Sequence, residues 1–367
     1  MKTKLLLISM YWISMICFSQ STYVPDDNFE NYLETHDASG NTVAVGDASS
    51  MGNGIANDDY VDTANINSIT ELNIAFKGIS DLTGIEDFIS LTELICYHNP
   101  YTSLDFSNNI ALTDLRCGGD WLVSLDISQN TALIYFQCFG QWSPGTGLTS
   151  IDLSNHLALS TLDIQAFRDL TSLDLSHNTA LTKLVCGYNG LTSLDLSQLT
   201  ALEYLNTENN SLTSLDVSQN TVLNYLKCGL NQLTSLNVKN GNNINFSYFE
   251  ARTNQLNCIN VDDADYSTAN WTNIDSQSYF SEDCSLGIED HNDNAIKFYP
   301  NPINDIITIY SRERATFSVV DIKGQNILNG ILTEGENRLD LSNLTSGLYF
   351  IKMKVINREN IMKILKQ

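Results

Sequence analysis

Leu170, Leu191, Leu212 and Leu233 each open a near-copy of one unit, LTSLDLSxxTxLxxLxCxxNx, at a constant step of 21 residues. No other feature of the chain constrains its fold as much. A unit of that length cannot enclose its own apolar side chains. Its leucines leave water only against those of the units before and after it. The chain must therefore stack as a solenoid, and stacking yields a long curved surface rather than an enclosed pocket.

The period lies within the about 20–29 residues of leucine-rich repeats. In each unit LxxLxC reads as a strand, with a polar residue three positions later. Cys96 leads to Asn99, Cys186 to Asn189, Thr207 to Asn210, Cys228 to Asn231 and Ala251 to Asn254. Weaker copies are Ile74 with Lys77, Cys117 with Asp120, Cys138 with Gln141 and Ile164 with Phe167. These nine copies predict nine rungs of a parallel sheet, roughly 40 Å long at about 4.8 Å per strand. The expected fold is a leucine-rich repeat solenoid with a parallel β-sheet on its concave face and a mostly irregular convex side. The asparagines can satisfy turn amides and carbonyls between rungs. The period stretches by five residues at WSPGTG within 141–147, whose turn residues predict an exposed loop.

Three columns recur along the stack. Cys96, Cys117, Cys138, Cys186 and Cys228 share one inward position. Metal binding or disulfides is one reading. The favoured one is a column of small apolar side chains, because Ile164, Thr207 and Ala251 fill the same slot and zinc spacing is absent. Asp105, Asp126, Asp152, Asp174, Asp195 and Asp216, closed by Asn237, form a second column. Stacked carboxylates repel, by up to about 1 kcal/mol per neighbouring pair in water. Calcium between rungs would relieve this. The favoured alternative is that each Asp accepts hydrogen bonds from nearby Ser, Thr or turn amides, since the unit lacks the glycine-and-aspartate pattern of calcium solenoids.

The third column faces outward from the sheet. It carries Tyr97, Tyr135, Phe139, Tyr204, Tyr225 and Tyr248, interspersed with Glu93, Arg116, Lys183, Lys227, Glu250 and Arg252. Tyr204, Tyr225 and Tyr248 hold the same position on three consecutive rungs. Aromatic and arginine side chains dominate binding hot spots, although aromatics are also good strand formers. The candidate partner-binding residues are Tyr97, Tyr135, Phe139, Tyr204, Tyr225, Lys227, Tyr248 and Arg252.

The ends differ from the repeats. Lys2 and Lys4 precede an apolar stretch over 5–18, too short for a membrane span, with Cys17 and Ser19 at the −3 and −1 positions of a cleavage site before Gln20. This predicts a signal peptide over 1–19. Lipidation of Cys17 is disfavoured by Ile16, which stands where a small residue is wanted. Residues 20–68 read as an N-terminal cap that opens with a short helix over 24–33. Its loop acids Asp58, Asp59 and Asp62 could hold calcium or simply face water. Repeats span 69–256 and a C-terminal cap spans 257–287. Cys258 and Cys284 are the only cysteines outside the inward column apart from Cys17. An exported chain meets oxidising surroundings, so these two are expected to pair, worth about 3–4 kcal/mol in the chain-entropy model. Trp271 and Tyr279 are expected to cover the last rung.

Charge marks a second boundary. Residues 1–295 hold 9 Lys+Arg against 36 Asp+Glu, a net of −27; residues 296–367 hold 10 against 7, a net of +3. The acidic part argues against nucleic acid or anionic lipid as a partner. After a polar linker over 288–295, short alternating stretches at 307–310, 316–320 and 349–354, separated by turn signals, predict a small all-β sandwich over 296–367.

Residues 20–284 resemble the leucine-rich repeat proteins exported by Bacteroidota, with repeats akin to those of internalins. The likeness rests on YVPDDNFENYL, DLTGIEDF and CINVDDADYSTANWTNIDSQSYFSEDC. Residues 296–367 resemble the type A sorting domain of type IX secretion. The matching pieces include Tyr299 with Pro300, Asn301 and Pro302, then Asp321 with Gly324, and Gly347, Leu348, Tyr349 onward. The resemblance implies that the sandwich is read by the type IX machinery, and that the protein is secreted or displayed at the outer-membrane surface.

The function expected is recognition or adhesion, with a protein or glycan ligand on the concave face and no cofactor. His36, His98, His156, His177 and His291 are scattered, and no phosphate loop, GxSxG or HExxH motif occurs. The competing readings are a carbohydrate-active or other hydrolase on the same secretion route, and a passive coat protein.

Overall fold

The computed structural model describes residues 20–119, 121–140, 147–284, 297–299, 302–311, 314–355 and 358–367. The expected signal peptide over 1–19, the insertion residues 141–146, Asp120, the expected linker over 288–295, Pro300 and Asn301 lie outside the described residues. The chain divides into two compact units, Met1–Ser285 and Leu286–Gln367.

The first unit is a parallel β-solenoid. Its main sheet has nine strands in sequence order: Glu71–Asn73, Glu93–Ile95, Asp114–Gly118, Tyr135–Phe139, Thr161–Gln165, Lys183–Val185, Tyr204–Asn206, Tyr225–Lys227 and Tyr248–Glu250. These are the nine rungs that the repeat predicts. Leu72, Leu94, Leu115, Phe136, Leu162, Leu184, Leu205, Leu226 and Phe249 point inward from the rungs and are buried. Period-two alternation then sets their neighbours on the outer face. One continuous apolar core runs from Val24 in the cap to Phe280.

The opposite side is less irregular than expected. The SLD segments pair in parallel where neighbours permit: Ser103–Asp105 with Ser124–Asp126, and Ser214–Asp216, Ser235–Asn237, Cys258–Asn260 and Tyr279–Ser281 in order. Each coil must turn sharply after its main strand. Phe76, His98, Ala166, Tyr188, Asn209, Leu230 and Thr253, all at the same position of the unit, adopt φ between 55° and 65°. Six of these turn residues continue the ladder through their amides; Tyr188 N donates to Glu208 O at 2.8 Å and Leu230 N to Arg252 O at 2.9 Å. The ladder therefore sustains a backbone conformation that side-chain-bearing residues adopt at a cost of about 1–2 kcal/mol.

Both ends are closed. The first helix, Asp27–Thr35, is capped by Asp26, whose Oδ1 accepts from the amides of Asn28 and Phe29 at 3.1 Å each. Its Oδ2 accepts from Ser80 N and Oγ at 2.8 Å and from Asp81 N at 3.2 Å, which ties the cap to the first coil. Burial pulls the Asp26 carboxyl up, but the donors on Ser80, Phe29 and Asp81 outweigh it and hold it below the usual range. At the far end Trp271 stacks on Phe249 of the last rung, centroids 4.2 Å apart, with Phe280 edge-on at 5.7 Å. Tyr279 faces outward rather than into this cluster. It is 38% exposed on an edge strand, and alternation gives the inward position to Phe280. Cys258 and Cys284 form a disulfide with Cα atoms 5.7 Å apart.

The second unit is antiparallel. One sheet orders Lys297–Tyr299, Ile306–Ser311 and Gly335–Asp340; the other orders Asn326–Leu332, Ala315–Asp321, Gly347–Val355 and Arg358–Lys366. Ile307, Ile309, Val319, Ile351, Met353 and Ile364 fill its separate core. Three strands expected from alternation are present and longer than expected.

Candidate functional site

Each periodic column has a fate that the geometry makes plain. The first asparagine column bridges coils: Asn189 Nδ2 donates to Ile164 O at 2.9 Å and Cys186 O at 3.0 Å, while its Oδ1 accepts from Phe167 N at 2.9 Å. Asn210, Asn231, Asn254 and Asn99 repeat the pattern. The Cys column is buried and its thiols are free. Burial pushes the Cys186 thiol up to about 12, with the Asp163 charge adding to the effect.

The Asp column is exposed and closes its own turns. Asp105, Asp126, Asp152, Asp174, Asp195 and Asp216 each accept the amide of the serine two residues on, at 2.8–2.9 Å. Donation from the serine amides holds Asp126, Asp152, Asp174 and Asp195 below the usual 3.8. Each carboxylate thus has the local partner that the turn reading expects.

A further ladder escaped the sequence reading. Asn109, Asn130, Asn178 and Asn220, each four residues beyond its Asp, are fully buried. Each Nδ2 bridges two carbonyls of the preceding coil; Asn178 reaches Leu153 O and His156 O at 3.0 Å each. His156 occupies the same slot and its Nε2 lies 3.1 Å from Ile127 O. The signal was present as the N of DLSxN, but polarity alone suggested a surface turn.

The outer columns of the main sheet differ from these. At the first outward position the rungs read Glu71, Glu93, Asp114, Tyr135, Thr161, Lys183, Tyr204, Tyr225 and Tyr248. Tyr204 and Tyr225 stack with centroids 4.0 Å apart and planes at 11°; Tyr225 and Tyr248 follow at 4.8 Å and 17°. Lys183 Nζ caps the stack 5.1 Å above the Tyr204 ring. Desolvation raises the Tyr204 hydroxyl, and its hydrogen bond with Tyr225 adds to the rise.

Beside the stack lies a charged row. Tyr188 Oη donates to Glu208 Oε2 at 2.8 Å, and Lys227 Nζ reaches the same oxygen at 2.7 Å. Desolvation works against the Lys227 charge, but Glu208 outweighs it and raises the pKa. Gly229, with no Cβ, leaves room for the Glu250 carboxylate, where any side chain would collide with Oε1. Glu250 Oε2 is buried without a hydrogen-bond partner. Burial lifts its pKa, Lys227 opposes this and Glu208 adds to it. Arg252 stands exposed at the end of the row.

The eight candidate residues thus fall in three places. Tyr204, Tyr225, Tyr248, Lys227 and Arg252 share the last three rungs. Tyr135 and Phe139 sit on the fourth rung, where Arg116 lies 4.7 Å over the Tyr135 ring while also pairing with Asp114 at 2.7 Å. Tyr97 belongs to a separate aromatic corner, edge-on to Phe76 at 5.6 Å and to His98 at 5.3 Å. Between the groups, Asp163 is held by Gln137 at 2.9 Å and Gln165 at 2.6 Å. A cavity of about 230 Å³ at the N-terminal end is lined by residues including Tyr32, Asp37, Glu71, Glu93 and Ile95; pockets for drug-sized ligands hold about 300–1,000 Å³.

In the second unit, Pro302 is exposed and Gly347 opens the strand that carries Leu348 and Tyr349. Tyr349 is 8% exposed and its hydroxyl donates to Thr345 O at 2.9 Å, a link that pins the turn before the strand as tyrosine corners do.

Residues 297–367 match the family model described as the secretion system C-terminal sorting domain. The chain therefore carries a type IX sorting domain, which directs it to the cell surface or outside. No helix among the described residues is long and apolar enough to cross a membrane. The chain is similar to the functional domain of InlJ from Listeria monocytogenes, which includes a cysteine ladder, at 28% identity and a TM-score of 0.47 over 66% of this chain and 57% of that one. It spans little more than half of that relative. Internalin C2 from the same organism is 21% identical with a TM-score of 0.43, over 72% of this chain and 99% of that one. The leucine-rich repeat domain of APL1B is 21% identical with a TM-score of 0.37, over 56% and 70%. No curated protein sequence matches the chain.

Proposed function

We propose that this secreted surface protein recognises a protein partner through the last rungs of its main sheet, with Tyr204, Tyr225, Tyr248, Lys227 and Arg252 at the centre. The observation that carries the reading is the contrast between columns. Asn, Cys and Asp recur because the coil consumes them, whereas the tyrosine stack makes none of the inter-coil bonds that the Asn ladders make. Tyrosine and arginine supply much of the energy at protein interfaces, and fixed rings lose little entropy on docking.

The stack also favours a polypeptide over a glycan. A sugar grips an aromatic residue through an open ring face. Here both faces of Tyr225 are taken by Tyr204 and Tyr248, and those of Tyr204 by Lys183 and Tyr225. What projects is ring edges and phenol hydroxyls beside Lys227, Arg252 and Glu250, a set suited to backbone and charged groups of a polypeptide. Catalysis forms no part of the proposal.

The test presents the full secreted chain to parallel arrays of surface proteins and glycans. The triple variant Tyr204→Ala, Tyr225→Ala, Tyr248→Ala is expected to weaken the captured complex by about 30-fold or more with unchanged circular dichroism. Binding that survives the triple variant defeats the assignment of this surface. Capture of glycans alone defeats the choice of partner, and saturable turnover of a glycan or peptide defeats the exclusion of catalysis.

A further inference from the structure

The N-terminal cap is unusual in charge. Residues 20–68 contain nine Asp+Glu and no Lys or Arg. Three of these acids converge although they come from separate segments. Asp27 and Glu30 are one turn apart on the first helix, and Asp59 lies in the following loop in left-handed backbone, φ 64°. Carboxylate oxygens from all three lie within 4.8 Å of one another. That is the reach across a calcium shell, whose metal–oxygen distances are about 2.3–2.6 Å.

An independent observation comes from Glu30. It is only 1% exposed, and its Oε2 has no hydrogen-bond partner. Its Oε1 accepts from Asp58 N at 3.0 Å, which fixes the carboxylate toward the loop. A buried carboxylate oxygen with nothing to accept from is costly, and a cation repays that cost. Neither Asp27 nor Asp59 makes a side-chain hydrogen bond or ion pair among the described residues, so both remain free to ligate. Two neighbouring acids are committed: Asp58 in the loop accepts from Asn53 Nδ2 and Tyr60 N, and Glu34 on the helix from Asn53 N and Gly54 N.

We infer that Asp27, Glu30 and Asp59 bind a calcium ion that pins the first helix to the loop over 52–59. Calcium suits the set better than magnesium. It accepts carboxylates from irregular directions, whereas magnesium demands near-ideal octahedral geometry and keeps its waters. The consequence is a cap locked by a cation available outside the cell. Val24 N already bonds Asp59 O at 2.8 Å, so the ion would brace the segment before the helix, the helix and the loop together.

The test titrates calcium chloride into the chelator-stripped full chain by calorimetry, with the thermal midpoint measured alongside. Saturable binding and a rise of a few degrees are expected, with magnesium binding at least about tenfold more weakly. Asp59→Asn and Glu30→Gln should each weaken calcium at least about tenfold, whereas Asp47→Asn, in the same cap but bonded to Ser49 at 2.7 Å, should not. No heat and no shift at about 10 mM calcium, tenfold above the weakest extracellular calcium modules, overturns the site without recourse to any variant. Equal loss in Asp47→Asn also overturns it, because that is the behaviour of a diffuse counter-ion cloud. The proposal is independent of the tyrosine surface, and either can fail alone.

Discussion

Two regions of the same coil follow opposite rules. Around the turns, the repeat hardly varies: Asp, Ser and Asn return at their stations, and each is consumed by a bond within the scaffold. On the outer face of the main sheet, the same lattice carries Glu71, Glu93 and Asp114 at one end and Tyr204, Tyr225 and Tyr248 at the other. A lattice that needs a residue repeats it. A position that the lattice leaves free can change from rung to rung, and there the chain is able to carry specific information. Periodicity therefore locates the scaffold, and the break in periodicity is what singles out the surface proposed for recognition.

The largest effect that tests this division is chemical. With its pKa pushed up to about 12 from 9.0, the Cys186 thiol should hold about a thousandfold less thiolate than a free cysteine. Alkylation followed by mass spectrometry should leave all five column cysteines unmodified in the folded chain and label them after unfolding. Rapid native labelling would mean that the column is not a packed part of the scaffold.

Stability comes next. Asn178→Ala removes two buried hydrogen bonds and leaves Leu153 O and His156 O with only the turn amides of His156 and Leu159, an expected loss of about 1–3 kcal/mol in denaturant unfolding. Asp174→Ala, four residues earlier and exposed, removes one solvent-exposed turn bond and should cost clearly less than Asn178→Ala. Equal losses would erase the difference between buried and exposed members of the repeat.

The two regions should also titrate in opposite senses. Serine amides hold Asp126, Asp152, Asp174 and Asp195 below 3.8, so their contribution is present above that pH and lost as pH falls through the lower folded value. Burial holds Glu250 above 4.5, so its ionisation weakens the fold as pH rises through its folded value. Glu250→Gln should flatten the thermal midpoint on the rising limb, whereas Asp174→Asn should soften only the acid limb. The same response from both variants would contradict the opposed signs.

The smallest effect concerns the turn. Leu230 is 43% exposed at φ 55°. Asparagine tolerates that conformation better, so Leu230→Asn should stabilise the chain by about 0.5–1 kcal/mol in the same unfolding experiment. A loss would mean that Leu230 is held by packing rather than merely tolerated.

Much of this was legible in the chain. The inward leucines, the Asn99 and Asn189 bridges and the local partners of the Asp column follow from position within the unit, and the pairing of Cys258 with Cys284 from their standing outside it. Other features were not. The N of DLSxN reads as a surface turn residue, yet Asn178 is buried because the next coil seals it. Tyr279 and Phe280 are adjacent aromatics, and only strand register decides that Phe280 packs on Trp271. Tyr97 and Phe139 hold the same outward position of the unit, each following the inward cysteine, yet Tyr97 belongs to another aromatic corner. Asp58, Asp59 and Asp62 look equivalent in the loop, and only the approach of the first helix singles out Asp59.

The sequence by itself determined the pitch of the solenoid, the inward and outward assignment of its side chains, and the change to an antiparallel sandwich near residue 296, because these follow from local period and composition. Tertiary structure alone decided which polar atoms were left without partners, which rings took up one another's faces, and which acids met across about thirty residues of chain. Such contacts depend on the register between coils and on the closing of loops, and no local pattern encodes the distance at which two separate segments come to rest.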